Sequence, residues 1–151
     1  LLLSTLHTNT SIASIYRLVD MGIDAFLVSS TLLGVMAQRL VRKLCVHCKH
    51  EIVPSKEDVE YFELGKGTFY DATGCEKCNH TGYSGRIAIG EIILIDDELK
   101  KMIKDKRSEH EIKAYLLNVQ GFQTMFDELK KLLASGETSF KEALRIGVKE
   151  E

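Results

Sequence analysis

Residues 44–55 read LCVHCKHEIVPS and residues 72–86 read ATGCEKCNHTGYSGR, and these two stretches contain every cysteine of the chain. The cysteines form two CxxC pairs: Cys45, Cys48, Cys75 and Cys78. A CxxC turn lets both thiolates bind one ion, and two such turns complete a tetrahedron at Zn–S distances of roughly 2.3 Å. The spacing predicts a structural zinc site, because four thiolates leave no coordination position open for catalysis.

Two alternatives to bound zinc are a reduced site without metal and a pair of disulfides. Disulfides require an oxidising compartment, and the first residues show none of the basic, apolar and small-residue regions of a secretion signal. Three histidines lie near the cysteines and are possible substitute ligands, although we expect them at the surface: His47, His50 and His80.

Composition predicts one ordinary globular domain. The chain has 151 residues, 44% of them hydrophobic, which is enough for a core. The net charge of -2 argues against a protein whose main partner is a phosphate backbone. Basic residues flank the first CxxC pair, so a freestanding zinc module that binds nucleic acid is the alternative, but aromatic residues for base stacking are absent there.

The coarse pattern alternates helical and extended segments. Leu1–Leu6 is expected to form a buried strand and Ile12–Val19 a helix that Asn9 or Thr10 caps and Gly22 ends. The uncharged run Ala25–Gln38 is shorter than the roughly 20 residues of a membrane span. We predict that it forms a long buried helix that Asp24 caps and that continues to Leu40.

The remaining elements follow from caps and alternation. Ser-x-x-Glu/Asp patterns predict helices after Ser55, Ser108 and Ser139, and an apolar stripe predicts another over residues 122–133. Strands are expected on both sides of the second CxxC pair, over 68–74 and 86–95.

Two stretches imitate nucleotide motifs. Residues 85–91, GRIAIGE, have the glycine spacing of a P-loop but Glu91 where a lysine must reach the phosphates. Residues 92–98, IILIDDE, imitate a Walker B strand, although Asp96 and Asp97 are expected to cap the next helix. The chain by itself therefore lacks the parts for ATP hydrolysis.

Four motifs occur in the order seen in one family: LSTLHTNTS (3–11), RLVDMGI (17–23), LLGVMAQRLVRKLCVHC (32–48) and GCEKCNHTGYSGRIAIGE (74–91). Together they resemble the secretion ATPases of type II protein secretion and type IV pilus assembly. The resemblance is close over residues 1–100 and looser beyond.

The resemblance implies an α/β fragment, mainly α, that is the C-terminal part of a RecA-like P-loop NTPase core. Residues 1–44 would belong to that core, 45–95 to an inserted small β zinc-binding subdomain with four cysteine ligands, and 96–151 to a C-terminal helical subdomain. The P-loop and Walker B element of the family would precede Leu1, so the fragment is expected to be inactive alone.

The resemblance also implies a function and partners. The parent would be a cytoplasmic homo-hexamer at the inner-membrane face that uses ATP and Mg to drive secretion or pilus assembly, in contact with an inner-membrane platform protein. Nucleic acid is not an expected partner. The apolar strand Leu1–Leu6, without sheet neighbours, is expected to let the fragment self-associate.

The resemblance also implies roles for the residues that match the family's motifs. STLHTN matches the histidine box, so His7 would face the γ-phosphate with Thr5 and Thr8 as supporting hydroxyls. AQRL and GYSGR also match, and Arg39 and Arg86 would line the nucleotide cleft or pair with carboxylates across a subunit contact. Tyr83 is expected to pack against the zinc turns.

Overall fold

The structure is a computed structural model that describes residues 1–147, and the part it describes is mixed α/β, as predicted. The helices are α1 (Ser11–Asp20), α2 (Ala25–Thr31), α3 (Lys56–Tyr61), α4 (Asp97–Lys104), α5 (Glu109–Tyr115), α6 (Met125–Ala134) and α7 (Phe140–Ile146). The strands are β1 (Gly34–Leu44), β2 (Lys49–Ile52), β3 (Phe69–Ala72) and β4 (Tyr83–Leu94). None of the helices within residues 1–147 has the length and apolar character to cross a membrane.

The chain forms two compact units. The first contains Leu1–Gln38 and Gly90–Gln123, and the second contains Arg39–Ile89 and the residues from Thr124 onward. The three functional parts expected from the resemblance remain a prediction, since these units group residues by contact and not by role. Residues 148–151, which end the expected helical part 96–151, lie outside the described residues.

Each unit buries its own apolar core. In the first unit, α1, α2, α4 and α5 pack around the end of β4, with eight buried residues: Ile12, Ile15, Val28, Ile93, Leu99, Ile103, Ile112 and Leu116. In the second unit the centre is aromatic, where the Phe62 ring stacks on Phe126 at 5.6 Å and Phe140 packs against both Phe62 and Phe69.

Two pairs of strands form two separate sheets. β1 and β4 run antiparallel, because Ile95 N–H donates to Leu33 O before β1 begins and Cys45 N–H donates to Gly82 O after it ends. β2 and β3 pair antiparallel with Lys49 opposite Ala72 and Ile52 opposite Phe69. This small sheet directly follows Cys48 and ends shortly before Cys75, so it brings the two CxxC turns together.

The prediction of one long buried helix over Ala25–Gln38 is wrong. Asp24 caps a helix there, but α2 ends at Thr31 and the chain enters β1 at Gly34. From that point side chains alternate, with Ala37 and Val41 buried and the residues between them more exposed. An apolar run of this kind suits a helix or a strand, and pairing with β4 decides for the strand.

The prediction of a buried strand over Leu1–Leu6 is also wrong. The segment has no regular structure, and Leu1, Leu2 and Leu3 are 103%, 90% and 85% exposed. A strand needs a neighbour for its N–H and C=O groups, and no described strand pairs with this segment.

The capped helices are confirmed. Thr10, Ser55, Ser108 and Ser139 each accept a backbone N–H at the start of the following helix. Asp96 caps α4 through a bond from Leu99 N–H at 2.8 Å, which confirms its expected role. α5 is shorter than predicted, because it ends at Tyr115 and continues as a π turn over Leu116–Gln120.

Candidate metal centre and candidate nucleotide residues

The first CxxC turn follows β1. Cys45 O accepts hydrogen bonds from Cys48 N–H at 3.3 Å and Lys49 N–H at 2.9 Å. These bonds close a tight turn that places both sulfurs on the same side before the chain enters β2. Cys45 is buried and Cys48 is half-buried.

The second turn repeats this pattern. Cys75 O accepts from Cys78 N–H at 3.1 Å and from His80 N–H at 2.8 Å. The turn depends on Gly74, whose φ is +91° and where an added Cβ would lie 2.5 Å from His80 O. A side chain cannot fit at that position, so glycine is required for the turn to form.

The four sulfurs have the geometry of a metal site. The Sγ atoms of Cys45 and Cys75 are 3.9 Å apart, as are those of Cys48 and Cys78, and all four lie within 4.8 Å of one another. A tetrahedron with Zn–S distances of about 2.3 Å has S–S edges of about 3.8 Å. Sulfurs 3.8–3.9 Å apart are well beyond the about 2.05 Å of a disulfide bond, so the arrangement fits a metal better than a pair of disulfides.

Backbone donors surround one sulfur in particular. Cys75 N–H and Gly82 N–H donate to Cys78 Sγ at 3.2 and 3.3 Å. The bond from Cys75, with that from Gly82, lowers the pKa of Cys78 to about 6, although burial opposes the shift. Burial raises the pKa of Cys48 to about 12. Four thiolates this close repel one another, so a site that holds all four in the ionised form requires a cation among them.

The nearby histidines do not join the cluster. His47, His50 and His80 are exposed, and the group of metal-binding atoms contains only the four cysteines among the described residues. This confirms the expectation that the histidines lie at the surface. It leaves a donor set of four sulfurs, which is typical of closed structural sites.

Lys49 joins the first turn to the helical tail. Its Nζ donates to Gly136 O at 3.2 Å and lies 4.6 Å from the centre of the Tyr70 ring. Gly136 packs so closely on that ring that an added Cβ would lie 2.4 Å from it. The cysteine turns and the α6–α7 connection are thus packed as one piece within the second unit.

A buried charge cluster that the sequence analysis missed lies in the same unit. The Glu142 side chain is 0% exposed and accepts from Arg42 N–H, Arg42 Nε and both Arg145 Nε and Nη2, at 2.6–3.0 Å. Burial alone would raise the pKa of Glu142, but the bonds from Arg145 and Arg42 outweigh it and hold that pKa at about 2. The carboxylate fastens α7 to β1.

Tyr83 belongs to this cluster. The Arg42 guanidinium lies 4.1 Å above the Tyr83 ring, and the Tyr83 hydroxyl is 2.6 Å from Ser139 Oγ, the cap of α7. Tyr83 lies five residues after Cys78, and its side chain joins Arg42 of β1 to the start of α7. In the sequence, Glu142 is recognisable only as part of the capping pattern that begins at Ser139. That pattern does not predict the hydrogen bonds from Arg42 and Arg145.

Three of the candidate nucleotide residues belong to the first unit and two to the second. Thr5 and His7 are exposed in the first unit, and Thr8 Oγ1 lies 2.6 Å from Ser14 Oγ. Arg39 and Arg86 belong to the second unit, where Arg39 Nη1 donates to Ile146 O at 2.8 Å and Arg86 is exposed. Their expected roles toward a nucleotide remain predictions.

Glu91, the residue that disqualified the P-loop pattern, has its partner four residues after His7, at Ser11. Its carboxylate Oε1 accepts from Ser11 N–H at 2.7 Å and from Ser11 Oγ at 2.8 Å, and Glu91 is 6% exposed. Strand β4 thereby holds the start of α1, immediately after the predicted histidine box.

Comparison with known proteins decides the family. The sequence model of the family described as "Type II/IV secretion system protein" matches residues 1–145. The chain belongs to this family. The match contradicts the alternative of a zinc module unrelated to secretion proteins, and it confirms the resemblance on which the site residues were named.

Curated members of the type II/IV secretion family align with nearly all of the chain. This chain is 42% identical to the type II secretion system ATPase E of Vibrio cholerae and 41% identical to the type II secretion system protein HxcR of Pseudomonas aeruginosa. Each alignment covers 97% of this chain. It is 38% identical to the type IV pilus assembly ATPase PilB of Thermus thermophilus over 95%. The chain spans 29%, 28% and 17% of these relatives.

A solved structure shares the fold. The pilus retraction motor PilT with bound ADP superimposes with a TM-score of 0.58 over 96% of this chain and 32% of that one, at 20% sequence identity. At this identity the likeness describes the fold alone. The chain is accordingly a mixed α/β fragment that aligns with part of such a motor.

Proposed function

We propose that this chain is the zinc-containing part of a hexameric ATPase that uses ATP hydrolysis to power type II protein secretion or type IV pilus assembly. The observation that carries the proposal is the 42% identity to a type II secretion system ATPase over 97% of the chain. The chain corresponds to less than a third of that relative, so the ATPase activity belongs to the whole protein.

In this proposal the cysteine cluster holds one structural zinc. Cys45, Cys48, Cys75 and Cys78 supply all four ligands, and the S–S distances of 3.8–3.9 Å suit them. The metal would cross-link the end of β1 to the start of β4. It would take no part in the reaction.

The nucleotide chemistry is assigned to the histidine turn. His7 would donate a hydrogen bond to the γ-phosphate side of ATP, whose Mg is held by other parts of the protein, with Thr5 and Thr8 beside it. The exposure of His7 supports this, because its imidazole is accessible to a ligand. Arg39 and Arg86 would complete the cleft or a subunit contact.

The surroundings of the protein are proposed on the same basis. The parent would assemble as a hexamer on the cytoplasmic face of the inner membrane, against a platform protein. Residues 1–44 would complete a RecA-like core, 45–95 would be the zinc subdomain and 96–151 the helical subdomain. The chain alone is expected to hydrolyse no ATP and to self-associate through its exposed leucines, which light scattering at increasing concentration would detect.

Elemental analysis with thiol titration tests the metal. Protein purified without chelator should carry about one zinc per chain, and its four thiols should react only after denaturation. Four freely reactive thiols without metal would contradict the zinc assignment. Missing thiols would indicate disulfides and would contradict the cytoplasmic location as well.

ATP hydrolysis by the full-length protein tests the nucleotide assignment. His7→Ala should lower kcat by roughly 10²–10³-fold, as the loss of one preorganised donor does. His110→Ala is the matched control, since His110 is also an exposed histidine of the first unit. Equal kcat values for the two variants would refute the role of His7.

A further inference from the structure

We propose that Glu91 is a positioning residue for the histidine turn, residues 7–11, and acts on the reaction through His7. The inference rests on the proposed nucleotide role of His7. Its basis is the pair of bonds from Ser11 N–H and Ser11 Oγ to one Glu91 carboxylate oxygen, at 2.7 and 2.8 Å. These bonds join residues 80 positions apart, so they are tertiary contacts and not part of the helix itself.

The burial of this pair shows that it is built into the fold. Glu91 is 6% exposed and Ser11 is 0% exposed, although both carry polar side chains. A carboxylate is costly to bury unless donors surround it, and the start of a helix provides such donors together with the positive end of the helix dipole. Glu91 therefore has a fixed place at the first turn of α1.

The turn is also fixed from within α1. Thr8 Oγ1 lies 2.6 Å from Ser14 Oγ, and Ser14 Oγ donates to Thr10 O at 3.1 Å. Thr10 Oγ1 in turn accepts from Ala13 N–H at 3.1 Å. These bonds tie Thr8 and Thr10 to the first turn of α1, and Glu91 ties Ser11 to strand β4.

His7 lies one residue before this anchored segment and is itself exposed. Because Thr8 is the next residue, the contact of its hydroxyl with Ser14 restricts where His7 can lie. A carboxylate that holds the turn but does not touch a ligand should affect the alignment of His7 in the transition state more than the binding of ATP. Loss of Glu91 should therefore lower kcat and leave KM nearly unchanged.

The experiment is steady-state ATP hydrolysis by the full-length protein with Glu91→Ala, His7→Ala and the double variant. Glu91→Ala should lower kcat by about 10- to 100-fold at unchanged KM, and the double variant should be no slower than His7→Ala. Glu91→Gln should restore most of the rate, because its amide oxygen still accepts both bonds from Ser11. Glu98→Ala is the control, since Glu98 is exposed and pairs with Lys101 on the surface of α4.

The outcomes separate this inference from the proposed function. If His7→Ala lowers kcat but Glu91→Ala does not, or if the two losses multiply in the double variant, Glu91 does not act through His7. If His7→Ala leaves kcat unchanged, the proposed role of His7 fails and this inference fails with it. Should Glu91→Ala not fold, Ser11→Ala removes one of the two donors and should lower kcat about threefold at unchanged KM, whereas an unchanged kcat would overturn the inference.

Discussion

The cysteine cluster and the histidine turn differ in how much of each site this chain completes. The cluster has four sulfurs within 4.8 Å of one another, two hydrogen-bonded turns and backbone donors to Cys78. The histidine turn is anchored through Ser11 and Ser14, yet His7 and Thr5 are exposed. The cysteine cluster contains all of its ligands within one unit, whereas the histidine turn exposes His7 to solvent.

The roles that we propose for the two sites, a structural metal site and a nucleotide contact, account for this difference. A structural metal site needs its ligands saturated and solvent excluded, so it is built from two short local turns that the same unit contains. A site that handles a phosphate must leave room for the ligand and must collect donors from several elements. In the proposed ATPase such a site would collect donors from several elements, and this chain spans 29% of the Vibrio relative.

The largest effect is expected when one of the four ligands is removed from the cysteine cluster. Cys78→Ser should abolish zinc binding and lower the free energy of unfolding by several kcal/mol, less than the about 10–16 kcal/mol of isolated zinc fingers because the second unit also has an aromatic core. Urea unfolding with metal analysis measures both effects. His47→Ala, an exposed residue of the first turn, should change neither, and zinc retained at full stoichiometry in Cys78→Ser would disprove the site.

The second test breaks the buried charge cluster of the same unit. Glu142→Ala leaves Arg42 and Arg145 without their shared carboxylate and should cost about 1.5–3 kcal/mol of unfolding free energy, because the two arginine side chains, 36% and 55% exposed, remain partly solvated. Glu137→Ala is the matched control, because Glu137 pairs with Lys43 where both side chains are about 40% exposed and should lose less than about 1 kcal/mol. Equal losses for the two variants would mean that the burial of Glu142 contributes little.

The same carboxylate predicts an acid dependence. The pKa of Glu142 is about 2 in the folded protein against a usual 4.5, so its contribution is complete above pH 4.5 and is lost as the pH falls toward 2. The shift corresponds to about 3 kcal/mol, of which roughly 2 kcal/mol should be lost between pH 6 and pH 3. Other carboxylates and the metal site also titrate, so the measured quantity is the difference from Glu142→Gln in urea unfolding at both values. A pH-independent difference would contradict the prediction.

The turns and helix caps that depend on neighbouring residues were predicted correctly from the sequence. Each CxxC turn and each serine cap is defined within a few residues, and the structure confirms the caps at Ser55, Ser108 and Ser139 and the gathering of the cysteines. The reason is that the bonds of a turn or cap join residues three to five positions apart. Their chemistry can therefore be recognised without the rest of the fold.

The failures all depend on partners far along the chain. The run Ala25–Gln38 was assigned to a helix because nothing in it shows that β4 pairs with its second half. Glu142 fits a capping pattern, yet its side chain pairs with Arg42, 100 residues away. Glu91 is only a mismatch to a P-loop in the sequence, and its bond to Ser11 spans 80 residues. Burial and pairing at this range are properties of the folded chain.

The smallest expected effect is the difference between two glycine variants, and it tests how tightly the helical tail packs on the cysteine turns. Gly136→Ala should lower the free energy of unfolding by about 2–3 kcal/mol, since φ is +67° and the new Cβ would lie 2.4 Å from the Tyr70 ring. Gly121→Ala separates the two causes, because φ is +62° there but nothing lies within 4 Å, so only about 1 kcal/mol of backbone strain is expected. Thermal unfolding of both variants measures the difference. If Gly136→Ala loses no more than Gly121→Ala, the Tyr70 ring can move aside, and the contact between the cysteine turns and the α6–α7 connection is looser than the structure indicates.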